Sequence, residues 1–270
     1  LARREWESDA VTEELPARQS EILDLARASG RVTVEDLARR FDVTPQTVRK
    51  DLNDLCARRL MSRVHGGAVV ASGVENLGYD ARRFVAADEK RAIGQAAAAL
   101  IGDDTSLFIN VGTTTEQVAA ALSEHRNLLV ITNNLNVAMP MSRLSGINVI
   151  VAGGPVRADG AVVGSTAVDL IRQFKVDTAI IGTSAIDEDG ALLDFDYREV
   201  QVAQAIMANA RRVILVADAS KFERSAPVRI AHLEQVHVFV TDRLVSPRLR
   251  ELCRTQGIQL VETLPDRTDG

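Results

Sequence analysis

The sequence predicts two domains of different class, a small module of three helices and a hairpin followed by a larger α/β domain, and three observations carry that prediction. Between Pro16 and Leu60 three apolar stripes follow one another at helical spacing. From Glu89 onward, short apolar runs bounded by glycine or asparagine alternate with helical patterns, as in a largely parallel sheet covered by helices. Between them, residues 71–88 (ASGVENLGYDARRFVAAD) keep no sustained period and read as a linker, although Arg82 and Arg83 could pack on either domain.

The N-terminal module is assigned to residues 16–70. Its first helix carries Ile22, Leu25 and Ala26. The second carries Val34, Leu37, Ala38 and Phe41 and opens after Thr33 with Asp36 three residues on, close to a capping box. The third starts with Thr44 as N-cap and Pro45 at the first helical position, where a missing N–H costs nothing, and buries Val48, Leu52 and Leu55. Met61 to Val64, the turn His65-Gly66-Gly67 and Ala68 to Val70 then read as two short strands around a glycine turn, the shape of a wing.

The residues outside those stripes suggest a partner. On the third helix Gln46, Thr47, Arg49, Lys50 and Asn53 avoid the apolar side, and most lie in its first two turns. In a helix-turn-helix those turns enter the major groove, where Gln and Asn pair with adenine and Arg or Lys with guanine. Backbone N–H groups at the helix start, beside Thr44, would meet phosphate, and Arg63 and His65 of the wing would reach the backbone or the minor groove. The alternative is a helical interaction module whose charged face is simply solvated.

Charge fits the first reading only when taken by segment. The whole chain sums to −5, yet residues 16–70 hold ten Lys/Arg against seven Asp/Glu, a local +3 of the sign that phosphate neutralisation needs. Residues 1–15, with two against five, form an acidic leader to which no role is assigned. A hydrophobic fraction of 46% with 26% charged residues excludes a disordered or fibrous chain. No long apolar run exists and the first residues are too charged for a signal peptide, so a cytoplasmic protein without a membrane partner is expected. Cys56 and Cys253 stand far apart and read as packing residues, and His125, His232 and His237 lack metal-ligand spacing; no metal and no cofactor is expected.

In the larger domain, residues 89–264, candidate strands are 106–111, 128–132, 149–152, 178–182, 212–217, 236–241 and 258–261. Ligands of such sheets collect at the carboxyl ends of the strands. There the chain offers Gly112-Thr113-Thr114-Thr115, where a helix start, hydroxyls and backbone N–H groups suit a phosphate. Asn133 and Asn134, Gly153-Gly154 and Gly182-Thr183-Ser184 end the next three strands. Lys221, after VADAS, could set a positive charge beside the same anion. A G-T-T or a double glycine alone more often makes a helix cap or a turn, but their shared position at strand ends strengthens the joint case.

Specific resemblance begins with VTVEDLARRFDVTPQTVRKDLNDL followed by SRVHGGAVV, which resembles the DNA-binding domain of the DeoR family of bacterial repressors. In that family the third helix is the recognition helix, usually with two arginines where this chain has Arg49-Lys50, and HGGA lies in the wing. Ala57 to Leu60 (ARRL) depart from the family, whose members more often have an acidic residue and a glycine there. NVGTTT, ITNNLNVA, VAGGPVR, DGAVVG, LLDFDYREV and VADASKF are similar to the family's sensor domain, so the resemblance spans nearly the whole chain.

The resemblance implies a winged helix-turn-helix, a sensor domain with the fold of ribose-5-phosphate isomerase, and binding of operator DNA as a homo-oligomer, dimer or tetramer. It also implies release by a phosphorylated effector, with glycerol 3-phosphate the specific expectation. Asp194, Asp196, Tyr197 and Glu199 would then hydrogen-bond the hydroxyls of a glycerol or sugar moiety; otherwise they form a solvated acidic loop capping the helix near Tyr197. Two further readings stay open, an active sugar-phosphate isomerase with a DNA-binding appendage and a domain that serves only for assembly. Against the enzyme, the acidic GADE-type segment of the isomerases becomes GTSA (Gly182 to Ala185), their lysine position falls near Asp194, and only Glu199 survives as a candidate base.

Overall fold

The computed structural model describes residues 15–29, 31–58, 60–64, 67–70 and 79–264. Packing divides the chain into two compact units, Leu1–Ala71 and Ser72–Gly270.

In the first unit α1 (Ala17–Ser29), β1 (Arg31–Thr33), α2 (Val34–Arg40), α3 (Pro45–Ala57), β2 (Met61–Val64) and β3 (Gly67–Val70) follow in order. The caps read from the sequence are present. Thr33 Oγ1 accepts the Asp36 N–H at 3.1 Å and donates to Asp36 Oδ2 at 2.6 Å, and Thr44 Oγ1 accepts the Thr47 N–H at 3.2 Å. Ile22, Leu23, Ala26, Val34, Leu37, Val48, Leu52 and Leu55 are buried together with Met61 and Ala68. Leu25, expected inside, is only half-buried, and Leu23 takes that place.

β1 was not foreseen; it pairs antiparallel with β3 to make the three-stranded order β1-β3-β2. Gly67 belongs to β3 rather than to the turn, and the reason is steric. A Cβ there would lie 2.0 Å from the Val32 carbonyl oxygen, so only glycine lets β1 approach.

The second unit opens with α4 (Tyr79–Phe84), where a linker was expected, and α5 (Ala87–Ala98). Then come β4 (Ser106–Ile109), α6 (Thr113–Ala121), β5 (Leu128–Thr132), α7 (Leu135–Met141), β6 (Ile147–Val151) and α8 (Ser165–Ile171). Next are β7 (Val176–Ile181), β8 (Ala185–Ile186), β9 (Ala191–Asp194), α9 (Tyr197–Ala208) and β10 (Ala210–Val216). A 3-10 turn at Ala219–Glu223 precedes β11 (Val228–His232), β12 (Val238–Thr241), α10 (Pro247–Gln256) and β13 (Gln259–Glu262).

Seven strands form a parallel sheet in the order β13-β12-β10-β7-β4-β5-β6. Both faces are covered, which is why the strands are continuous apolar runs. Leu107 and Ile109 point with Val130, Ile180 and Ile214 into one core, under Ile93, Val118 and Val137 of α5, α6 and α7. Phe108, Ala179, Ile181 and Leu215 point into the other, under Ile171, Val202, Ile206 and Leu249 of α8, α9 and α10. β4 ends at Ile109, two residues before the sequence suggested, because the Asn110 side-chain carbonyl takes the Val111 N–H at 2.8 Å.

The winding runs from β4 to β5 and β6 on one side, then returns to β7 on the other, so the β4/β7 boundary is the switch point where such sheets bind ligands. A second, antiparallel sheet, β11-β9-β8, follows directly from the end of β7 and was not foreseen.

Candidate functional site

The first unit presents one face of α3. Gln46, Arg49, Lys50 and Asn53 are exposed, Thr47 is half-buried, and their spacing puts them on the side opposite Val48, Leu52 and Leu55. Thr44 is also exposed, but its hydroxyl caps the helix and lies 3.0 Å from that of Thr47. What the sequence did not disclose is Asp51, which is buried on the inner side of α3. Its carboxylate accepts from Arg18 Nε at 2.7 Å, Arg18 Nη2 at 3.3 Å and Gln19 Nε2 at 3.3 Å. The acid next to Lys50 is thereby turned away from the exposed bases and tied to α1, which fixes the pitch of α3. Arg63 sits in β2; its side chain, and the whole of His65, lie outside the described residues.

In the second unit the strand ends converge. Gly112 precedes α6 with φ 151°, and Thr115 Oγ1 donates to the carbonyls of Asn110 at 2.7 Å and Gly112 at 2.8 Å, which shapes the turn. Thr113 and Thr114 are buried. Gly182 at the end of β7 closes on the same turn, since a Cβ there would stand 3.5 Å from Thr115 Cγ2. The loop from Ala152 to Gly164 folds back over the end of β5, through Val162 N–H to Asn133 O at 2.7 Å and Leu135 N–H to Gly160 O at 3.0 Å. Gly153 and Gly154 open that loop. Gly154 has φ 149° and a Cβ would meet the Val163 carbonyl at 2.8 Å, so its glycine is a matter of backbone approach.

Asn133 is fully buried; its Nδ2 donates to Val162 O at 3.2 Å while its Oδ1 has no hydrogen-bond partner. Asn134 has both ends occupied: Oδ1 accepts the Asn136 N–H at 2.9 Å, and Nδ2 donates to Glu116 Oε1 at 3.0 Å.

Arg157 and Asp159, which the sequence did not single out, organise the polar side of this edge. Arg157 reaches Asp159 at 2.5 Å, Asp196 at 3.0 Å and Glu199 at 2.7 Å. Glu199 is nearly buried, and burial together with the neighbouring Asp194 pushes its carboxyl up to about 8. Asp194, also buried, accepts from Ser184 Oγ at 3.1 Å. Asp196 plays the capping part of the alternative reading, its carboxylate accepting the Arg198 N–H at 2.9 Å and pairing with Arg157 and Arg198. Tyr197 does not join the cluster: it is 62% exposed and only rims a 310 Å³ hollow with Arg157, Asp194 and Asp196.

Lys221 is buried in the 3-10 turn, 4.0 Å from Asp218. Burial and the nearby Arg224 and Arg82 lower its pKa against the pull of Asp218 and Asp194. Burial alone would raise Asp218, but Lys221 and Lys90 hold it below its ordinary value. This end of the site therefore collects cations, while the Arg157 side supplies carboxylates. Such a division suits a ligand with an anionic head and a hydroxylated body. Among the described residues no group of three or more His, Cys, Asp or Glu could hold a metal, and no helix is long and apolar enough to cross a membrane.

Comparison with known proteins agrees with both halves. Residues 18–74 match the DeoR-like helix-turn-helix domain and residues 85–243 the DeoR C terminal sensor domain. The chain is 45% identical over 224 residues to the glycerol-3-phosphate regulon repressor of Haemophilus influenzae, covering 83% of this chain and 88% of that one. It is 41% identical over 244 residues to the glycerol-3-phosphate regulon repressor of Escherichia coli K12, covering 90% and 97%, and 37% identical to the transcriptional repressor CsqR of the same organism, covering 90% and 94%. Ribose 5-phosphate isomerase from Methanocaldococcus jannaschii superposes on 51% of the chain and 55% of its own length with a TM-score of 0.39 and 16% identity, too distant to carry an argument. An exposed polar face on α3 of a winged helix-turn-helix, a polar cradle at the strand ends and these matches together make the chain a member of the DeoR family of DNA-binding transcriptional repressors.

Proposed function

We propose that the protein represses genes of glycerol 3-phosphate metabolism in the cytoplasm, binding operator DNA as a homo-oligomer and leaving it when glycerol 3-phosphate occupies the strand-end site. The observation that carries the effector reading is the polarity of that site. The α6 start at Gly112-Thr113-Thr114 and the cation Lys221 suit the phosphate, while Asp194 and Glu199 suit hydroxyls. Two relatives, both glycerol-3-phosphate regulon repressors, point the same way.

We read no turnover into the site. An aldose–ketose isomerase needs a base free to take the substrate's proton, and Glu199 Oε2 is engaged by the Arg157 guanidinium at 2.7 Å. Where the isomerases place their acidic segment, the Thr183 hydroxyl is spent on the carbonyls of Ala185 and Leu193 at 2.8 and 2.9 Å.

An oligomer follows from the size of the recognition element: one short helix reads too few base pairs to select a site alone. Release requires that the effector prefer a state whose paired helices no longer match two half-sites. The test is operator binding titrated with glycerol 3-phosphate, glycerol and a panel of sugar phosphates. Release by glycerol 3-phosphate alone supports the reading; release only by another sugar phosphate removes the effector assignment, and release by none removes the sensing role.

A further inference from the structure

The strand-end site has a component that comes from outside the strand ends. Arg82 lies in α4, the first described element after residues 71–78, on the chain that arrives from the DNA-binding unit. Its backbone is fixed from two sides. The Arg82 carbonyl accepts from Lys90 Nζ at 2.5 Å and from Thr113 Oγ1 at 3.4 Å, and Lys90 also donates to Val85 O at 2.6 Å. Lys90 is buried, so these carbonyls are what hold its ammonium.

The side chain, in contrast, is poorly satisfied. Nη2 reaches Asp159 Oδ2 at 3.4 Å, an oxygen that Arg157 already holds at 2.5 Å. Nε is buried with no hydrogen-bond partner, although the side chain is only 14% exposed. A buried donor left in that state is unfavourable until something accepts from it. Burial lowers the hold of Lys221 and of Arg224 on a proton, and the nearby Arg82 guanidinium lowers each of them further. Guanidinium and ammonium groups gathered this closely are an arrangement that a phosphate dianion relieves.

α4 has a second fastening. The Tyr79 hydroxyl donates to Glu116 Oε2 at 2.8 Å, and the other oxygen of Glu116 holds Asn134 Nδ2 at 3.0 Å and Asn136 Nδ2 at 3.2 Å. Glu116 lies in the first turn of α6, whose start is the turn assigned above to the phosphate. Both ends of α4 are therefore pinned to elements that form the site, one through Thr113 and Asp159, the other through Glu116.

On the reading that this site takes a phosphorylated effector, we propose that Arg82 is a direct ligand of the effector's phosphate, and that α4 is the strap by which occupancy of the site acts on the chain leading to the DNA-binding unit. A phosphate offers Nε and Nη2 two oxygens at once, a better partner than the shared Asp159. Binding thus draws Arg82 toward Gly112–Thr113 and away from Asp159, and the strap moves with it. The effector changes operator affinity only through this difference between seated and unseated strap.

The test uses the full-length protein, with glycerol 3-phosphate and inorganic phosphate as probes by calorimetry and operator affinity by fluorescence anisotropy. Arg82→Gln weakens both anions by about tenfold or more, and Arg82→Lys, which keeps the charge without the fork, falls between it and the wild type. Tyr79→Phe lowers the factor by which saturating glycerol 3-phosphate weakens operator binding. Wild-type affinity for glycerol 3-phosphate in folded Arg82→Gln or Arg82→Lys would overturn the ligand role, and an undiminished factor in Tyr79→Phe would overturn the strap. A wild type that binds neither anion would instead refute the effector reading on which the proposal rests.

Discussion

Replacing Arg157 with methionine removes the one guanidinium that serves three carboxylates, and the cost can be worked from the contacts. Asp159 and Glu199 have side chains 8% and 11% exposed, and Asp196 is 23% exposed with Arg198 as a second partner. Methionine keeps the packing of the stem but leaves the nearly buried Asp159 carboxylate without its nearest counterion and raises the cost of ionising Glu199. Breaking a buried pair from one side costs about 3–5 kcal/mol. Arg82, 3.4 Å from Asp159, compensates in part, so a loss of about 3 kcal/mol at neutral pH is expected. The loss also depends on pH, with a sign fixed by Glu199. Its carboxyl is raised from 4.5 to about 8 by burial and Asp194, so ionising it costs stability as pH climbs through that window, and Arg157 is what limits the cost. The variant's deficit therefore grows between about pH 6 and about pH 9. Urea unfolding followed by circular dichroism at both pH values measures it. A deficit below about 1 kcal/mol, or one flat with pH, would refute the claim that Arg157 neutralises a buried acidic cluster.

Two further outcomes are expected. Arg49→Ala weakens operator binding by about 1–3 kcal/mol while calorimetry shows glycerol 3-phosphate binding intact, and equal loss of both would make Arg49 a folding residue rather than a contact. Gly67→Ala forces a methyl group to within 2.0 Å of the Val32 carbonyl, so β1 must leave β3; operator affinity falls while the unfolding of the sensor unit is retained, and unchanged operator affinity would contradict the β1-β3 register.

Those features that local chemistry decides were legible in the sequence. Thr33 with Asp36, and Thr44 with Pro45, announce helix starts because their side chains or missing N–H groups act within a turn. Runs such as Leu128 to Thr132 announce buried parallel strands because both faces need apolar residues. The glycines and threonines at their ends followed from topology. What escaped depends on contacts distant in sequence. β1 is three residues long and exists only because Gly67 admits it. Asp51 looks like a solvated helix acid until Arg18, 33 positions away, is set against it. Arg82 fell in a stretch without period, and its meaning lies in Asp159, 77 positions on. Arg157 and Asp159 sit in a charged loop of the kind that is usually solvated; Asp159 is buried and Arg157 half-buried because that loop folds back over Asn133. Asp196 and Tyr197 read in the sequence as partners for ligand hydroxyls, but the helix start between them takes the carboxylate of one and turns the ring of the other outward.

The central claim, that one site on this chain hears a phosphorylated effector and speaks to operator DNA, is tested most directly by reciprocity. If glycerol 3-phosphate weakens operator binding by some factor, operator must weaken glycerol 3-phosphate binding by the same factor. Calorimetric titration of the full-length protein with glycerol 3-phosphate, alone and with saturating operator duplex, measures that factor from the effector's side. The account predicts a weaker effector affinity in the presence of operator, matched to the shift seen in operator titrations. Identical effector affinity with and without operator would contradict it.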